Sequence, residues 1–278
     1  MIICLAGLEG SMNILNDLED GGLDYGLISF YYLKNQEQLE AILKKVKYLL
    51  IDSGAHSFQH GKAANFDEYT EMYAKFIKRN TDNPQILGFF EMDIDNVIGY
   101  DGVLRLRKKL TAVSDKIIPV WHQNRGIEDY IKTCEEWKGR RVAITGFANQ
   151  DQVDGQFNYF INEAHTHDCL IHILGFTRFK LITGLNLGLY DSVDSSTWIQ
   201  AAVYNEIMLP NHGADSIRYK FLRGLKWEEE ALKRVNFITA KKMQLYYKDI
   251  DQSVYGHKQT NPLRNDGSEK SRRKEIIC

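Results

Sequence analysis

Tyr48-Leu49-Leu50-Ile51-Asp52-Ser53-Gly54-Ala55-His56-Ser57-Phe58 is the stretch on which the reading of this chain turns. An apolar run stops abruptly at Asp-Ser-Gly, and a histidine, a serine and an aromatic follow closely. A buried strand running out into a polar, glycine-jointed loop has this pattern. α/β proteins place their chemistry at the carboxyl ends of such strands, which makes Asp52 a candidate. An aspartate there can also do no more than cap its own turn. The tripeptide alone supports both readings, and the flanking sequence has to separate them.

Outward in both directions the pattern recurs. Short apolar runs lie at 2–6, 25–32, 48–52, 86–92, 116–121, 141–145, 169–174 and 187–193, with helix-like segments between them. Asn35 with Gln38, and Asn65 with Glu68, have capping-box spacing ahead of apolar stripes. Leu39, Ile42, Leu43 and Val46 form one stripe, and Tyr69, Met72, Tyr73, Phe76 and Ile77 another. Helical spacing of this kind predicts core packing rather than a cofactor box. The runs are short, apolar and mostly not alternating, as buried parallel strands are. Eight such units predict an α/β fold, a (β/α)8 TIM barrel over 1–210. A basic helical extension packed on the barrel is expected over 211–250, with its helix at 227–248, and a polar basic tail over 251–278.

Composition narrows the class. Of the 278 residues 44% are hydrophobic and only four are proline, so a sizeable core fits and a long internal linker does not. No apolar run approaches a membrane span and the start lacks a basic leader, so a soluble cytoplasmic protein without membrane contact is expected. Cys4, Cys134, Cys169 and Cys278 are scattered, without the close pairs of a zinc knuckle or disulfide framework, and the histidines lack ligand spacing. No metal is therefore expected. Charge is uneven: residues 1–215 carry 20 Lys/Arg against 29 Asp/Glu, and residues 216–278 carry 15 against 8. A basic final stretch interleaved with aromatics points to a polyanion, with Arg218, Lys220, Arg223, Lys241 and Lys242 as candidate nucleic-acid contacts; a solvated helix and tail would look similar.

In a barrel every strand points its carboxyl end at one face. Asp52, Asp93, His122, Gly146, Gly175 and Asp194 would then converge although they are distant in sequence. A carboxylate such as Asp194 can attack an anomeric carbon, paired with a second carboxylate, Asp52, working as general acid and base. Capping of the next helix is the structural alternative for Asp194. Asp93 or Asp95 could accept N–H groups of a bound base, and Gly146 would let backbone approach a flat ligand.

Taken together, these strand ends resemble the tRNA-guanine transglycosylase superfamily over roughly residues 1–205. Asp52-Ser53-Gly54-Ala55 resembles the family's Asp-Ser-Gly-Gly motif, whose Asp is the general acid/base. Asp93 matches the purine-reading Asp, Val120-Trp121-His122-Gln123 stands in place of a Val-Gln-Gly-Gly loop, and Gly146-Phe147-Ala148 is similar to a Gly-Leu-Ala segment. Asp194 stands where the family places its nucleophile. The zinc subdomain of the tRNA enzymes has no counterpart, Ala55 replaces a glycine, and the Gly-Gly pair is missing. These departures resemble the DNA-acting branch of phage and bacterial DNA-modification systems, where Ile28-Ser29-Phe30-Tyr31-Tyr32 and Asp194-Ser195-Ser196-Thr197-Trp198 would be at home. The resemblance implies exchange of guanine for a 7-deazaguanine in DNA. Asp194 would be the nucleophile and Asp52 the acid/base, with Ser53, Gly54, Asp93, Asp95, His122, Gln123, Gly146 and Phe147 holding substrate and no cofactor required. Expected partners are DNA (or tRNA) and a 7-deazaguanine base; a homo-oligomer or a partner protein is compatible with the sequence. The alternatives are tRNA-guanine exchange, a nucleoside or sugar hydrolase on the same barrel, and a catalytically silent nucleic-acid-binding barrel.

Overall fold

The computed structural model describes residues 1–58, 65–145, 154–176, 182–210, 216–220, 227–252 and 259. Nine parallel strands form one sheet: β1 (Ile2–Ala6), β2 (Leu23–Ser29), β3 (Val46–Asp52), β4 (Ile86–Phe90), β5 (Ile117–Ile118), β6 (Val120–Trp121), β7 (Arg141–Thr145), β8 (Leu170–Leu174) and β9 (Ser192–Ser195). Their order runs β5-β4-β3-β2-β1-β9-β8-β7-β6, so the two edges of the sheet are β5 and β6. Only Pro119 separates those two in the chain. Proline has no N–H for the ladder, so a single extended segment pairs with β4 before the break and with β7 after it. Pro119 still accepts from Ala143 N at 2.9 Å. The sheet thereby curls into a TIM-like α/β barrel. Seven of the expected runs overlap its strands, but the eighth is displaced: 187–191 lie outside any strand, because Asp191 closes a turn by accepting from Gly188 N at 2.7 Å, and β9 covers Ser192–Ser195.

Period two along the strands separates inside from outside. Ile2, Cys4, Ala6, Tyr25, Leu27, Leu50, Phe90, Ile118, Val120 and Ala143 pack together as an inner core. Their neighbours Ile3, Leu5, Ile28, Leu49, Ile51 and Phe89 belong to the larger core between strands and helices. Asp52 shares the parity of Leu50 and therefore belongs to the interior at its carboxyl mouth.

The helices are α1 (Met12–Asn16), α2 (Gln36–Lys45), α3 (Ala55–Phe58), α4 (Phe66–Asn80), α5 (Asp95–Thr111), α6 (Ile127–Glu136), α7 (Asp154–Thr166), α8 (Thr197–Val203) and α9 (Glu229–Tyr247). The expected caps form: Asn35 accepts from Gln38 N at 2.9 Å and Asn65 from Glu68 N at 3.2 Å. On α4, Tyr69, Tyr73 and Ile77 are buried and Phe76 is half-buried, but Met72 is exposed, one position off the apolar arc.

The carboxyl-terminal part differs from expectation. Residues 216–220 are not helical: β10 (Glu206–Pro210) and β11 (Ser216–Lys220) form an antiparallel hairpin. Alternating small runs of this length carry little periodicity, and the hairpin is fixed by α9 instead. Asn236 accepts from Met208 N at 2.7 Å and donates to Glu206 O at 3.1 Å, while Thr239 donates to Met208 O at 2.9 Å. α9 also reaches the barrel itself. The buried Gln244 donates to Ile3 O (2.7 Å) and Tyr25 O (2.6 Å) and accepts from Asp24 N (3.2 Å). The Met1 ammonium donates to Ile250 O at 2.5 Å. None of the described helices is long and apolar enough to cross a membrane.

Candidate functional site

The mouth of the barrel gathers the strand-end carboxylates. Asp52 ends β3, and its Oδ2 accepts from Gly54 N at 2.9 Å, closing the turn that the motif predicts. Gly54 sits at φ +72, and a Cβ there would lie 2.3 Å from Tyr31 Cβ and 2.5 Å from Ser29 Oγ. Both the left-handed backbone and the close approach of the β2 loop require glycine. Ala55 starts α3 and its methyl group is buried. Two tyrosines of the α4 stripe anchor this strand end: Tyr69 donates to Ser53 O at 2.6 Å, and Tyr73 lies within 3.2 Å of Ile51 O and 3.1 Å of Phe90 O. Ser53 is fully buried and its Oγ accepts from Ala55 N at 3.3 Å, so it shapes the turn.

Burial pushes the Asp52 carboxyl up to about 7; Gly54 N–H opposes this, and the negative charges of Asp93, Asp194 and Glu9 add to it. Those three groups therefore lie near enough to Asp52 for their charge to act on it. Glu9, which follows β1, is itself buried, accepts from Ser29 N at 3.3 Å, and is raised by burial. Its place in Leu8-Glu9-Gly10 gave no sequence signal beyond a polar residue after a strand.

Asp194 belongs to β9 and is 8% exposed. Its Oδ1 accepts from Gly175 N at 2.7 Å and lies 3.2 Å from His172 Nε2. Gly175, at φ +62, turns its N–H toward the carboxylate in a conformation that side chains rarely adopt. Asp194 is therefore not the cap of α8; Ser195 fills that neighbourhood, its Oγ accepting from Thr197 N at 3.2 Å. His172 is fully buried on β8 and in sequence is one histidine among several without ligand spacing. A polar residue inside the otherwise apolar strand Leu170–Leu174 was its one available signal.

A second group lies beyond β4 and β6. His122 Nε2 contacts Asp93 Oδ1 and stands 3.6 Å from Asp95 Oδ1, while Arg125 Nε donates to Asp95 Oδ2 at 3.1 Å. The carboxylates raise His122 despite the larger opposing effect of burial. Asp93, Asp95 and His122 bring their ligating atoms within 4.8 Å of one another, a set that could hold a metal ion. Two carboxylates facing an imidazole and a guanidinium also balance in charge by themselves. Asp93 and His122 remain partly exposed and can face a substrate, whereas the Asp95 side chain is almost wholly buried against Arg125. Gln123 opens a short 3-10 turn and is exposed.

Gly146, Phe147 and Arg223 lie outside the described residues. Arg218 and Lys220 are exposed on β11, with Arg218 3.5 Å from Glu206. Lys241 and Lys242 lie about one turn before Gln244, whose bonds reach the opening residues of β1 and β2. That stretch of α9 lies by the amino-terminal ends of β1 and β2 rather than with the strand-end carboxylates. Comparison of the chain with protein-family models and with curated proteins gives no match.

Proposed function

We propose that this protein is a base-exchange transglycosylase that replaces guanine in nucleic acid, DNA in preference to tRNA, with a 7-deazaguanine. The observation that carries the reading is that Asp52, ending β3, and Asp194, in β9, lie at one barrel mouth near enough for the charge of Asp194 to raise Asp52. One is a carboxyl raised to about 7; the other is a carboxylate that accepts from Gly175 N at 2.7 Å. General acid–base work is most effective when the group titrates near the working pH, and covalent displacement needs an oriented nucleophile.

In the forward half-reaction Asp194 forms a bond to C1′ as the C1′–N9 bond breaks, and the electron pair leaves with the base. Asp52 delivers the proton that neutralises the departing guanine. The incoming 7-deazaguanine gives its N9 proton to Asp52 and attacks C1′, and the ester bond to Asp194 breaks. Two inversions return the original configuration. Asp93 and His122 supply an acceptor and a donor beside this centre, which suits the edge of a purine. A nucleotide must leave its stack to enter a barrel mouth, so a flipped or single-stranded substrate is expected. The exposed Arg218 and Lys220 would hold phosphates.

The test supplies labelled guanine or 7-deazaguanine together with DNA or with tRNA. Incorporation into DNA is expected, with complete loss in Asp194→Ala. Incorporation into tRNA alone would reassign the substrate, and release of free sugar ends without exchange would indicate a hydrolase. Exchange that survives Asp194→Ala would overturn the nucleophile.

A further inference from the structure

Three polar side chains stand inside the barrel where the core is otherwise apolar, and the exchange chemistry above uses none of them. Arg141 opens β7, His172 lies in β8 and Ser192 opens β9. Arg141 is 8% exposed, and His172 and Ser192 are at most 1% exposed. The strand register places His172 beside Ser192, and Asp194 is two residues further along, on the same inward face. Arg141 Nη1 donates to Ser192 Oγ at 2.8 Å and Nη2 to Tyr190 O at 3.1 Å. Ser192 Oγ lies 2.7 Å from His172 Nδ1, and His172 Nε2 lies 3.2 Å from Asp194 Oδ1.

Counting donors fixes where the protons sit. A guanidinium can only donate, so Ser192 Oγ accepts from Arg141. The hydroxyl proton then has His172 Nδ1 as its acceptor, which leaves that nitrogen without a proton. A neutral imidazole carries its single proton on the other nitrogen, so Nε2–H donates to Asp194. A doubly protonated ring would set two donors against Ser192 Oγ and bury a second cation beside Arg141. Burial lowers the His172 imidazole, against the pull of Asp194, in agreement with a neutral ring.

We propose that Arg141, Ser192 and His172 form a directed hydrogen-bond relay that holds Asp194 as an oriented acceptor, His172 being a positioning residue for the nucleophile. The role given to Asp194 rests on the transglycosylase reading; the hydrogen-bond order does not. With His172 and Gly175 both donating to Oδ1, the carboxylate's rotation is fixed, and Oδ2 is the oxygen that forms the bond to C1′. A carboxylate held in one orientation reaches the reactive geometry without searching for it, and a supporting shell of locked partners is what keeps it there. The side chains act through Asp194 and touch no substrate.

The test uses the full chain. Ring-nitrogen NMR should show His172 as the neutral Nε2–H tautomer from about pH 5.5 to 8, with the Nε2 signal displaced in Asp194→Asn and the Nδ1 signal displaced in Ser192→Ala. An Nδ1–H tautomer, or an imidazolium in that range, would overturn the relay. In the exchange assay, His172→Leu should lower kcat on the order of 100-fold with KM for nucleic acid little changed. His172→Gln, which keeps one donor and one acceptor but cannot titrate, should recover to within about fivefold of the native rate. Should the Leu variant fail to fold, the Gln and Ser192→Ala variants carry the comparison, and native kcat in Ser192→Ala would refute positioning. Absence of exchange by the native chain would remove the transglycosylase reading, while the tautomer measurement would still decide the relay.

Discussion

Asp52 shows how one side chain serves two opposed demands. Its carboxyl, raised to about 7 mainly by burial, is protonated in the folded state over a range where an unfolded aspartate is ionised. The folded chain therefore binds the extra proton between about pH 4 and 7, and the stability associated with it is lost as pH rises through about 7. Asp52→Asn has nothing to ionise there. By linkage it should match the native chain near pH 4 and exceed its stability at pH 8 by about 1–3 kcal/mol, read from urea unfolding at each pH. The same variant should lose roughly 100-fold to 10,000-fold in exchange rate. A pH-independent difference in stability would show that Asp52 titrates as an ordinary surface aspartate. The turn around it was legible in the sequence, because Asp-Ser-Gly requires a left-handed glycine whatever surrounds it. The shifted proton affinity was not, because it comes mainly from burial in the folded barrel, with Asp93, Asp194 and Glu9, remote in the chain, adding to it.

Among the elements, the hairpin of β10 and β11 is where expectation and structure part most clearly. Charge alone marked this stretch as basic and left its conformation to helical continuity with α9. The strand pairing depends on Asn236 and Thr239, which lie on α9 well downstream and offer backbone partners to Met208. Placing Arg218 and Lys220 on one strand, two residues apart, puts both on the same face. The nearby Glu206 contact of Arg218 is a solvent-exposed pair and holds it only weakly. The double variant Arg218→Ala/Lys220→Ala should weaken binding of DNA of any sequence and reduce the salt slope of log K by roughly 2, measured by anisotropy across a salt series. An unchanged slope would move the phosphate contacts elsewhere. Lys241 and Lys242 make a useful control, since their place next to Gln244, by the amino-terminal ends of β1 and β2, predicts a smaller effect.

At the scale of the whole molecule, the barrel is held at its amino-terminal end by α9. Gln244 bonds backbone groups of both β1 and β2, and the chain's own ammonium is tied to the turn after that helix. Gln244→Leu would leave several buried backbone groups without partners, and about 2–4 kcal/mol of stability should be lost in denaturant unfolding. A loss below about 1 kcal/mol would mean that the barrel does not depend on this plug. The sequence by itself determined the succession of strands and helices, because burial on both faces makes parallel strands apolar throughout and helical stripes repeat at their own period. It also placed Asp52 at the end of β3, whereas Asp194, expected just past its strand, lies within β9. The tertiary structure decided what closes and what meets. Pro119 splits one strand into two short ladders that join the edges of the sheet, and inward parity stacks Arg141, Ser192 and His172 behind Asp194. Hydrogen-bond partners contributed by different strands carry no signature along the chain, since the ring of strands, and not sequence spacing, brings them within reach.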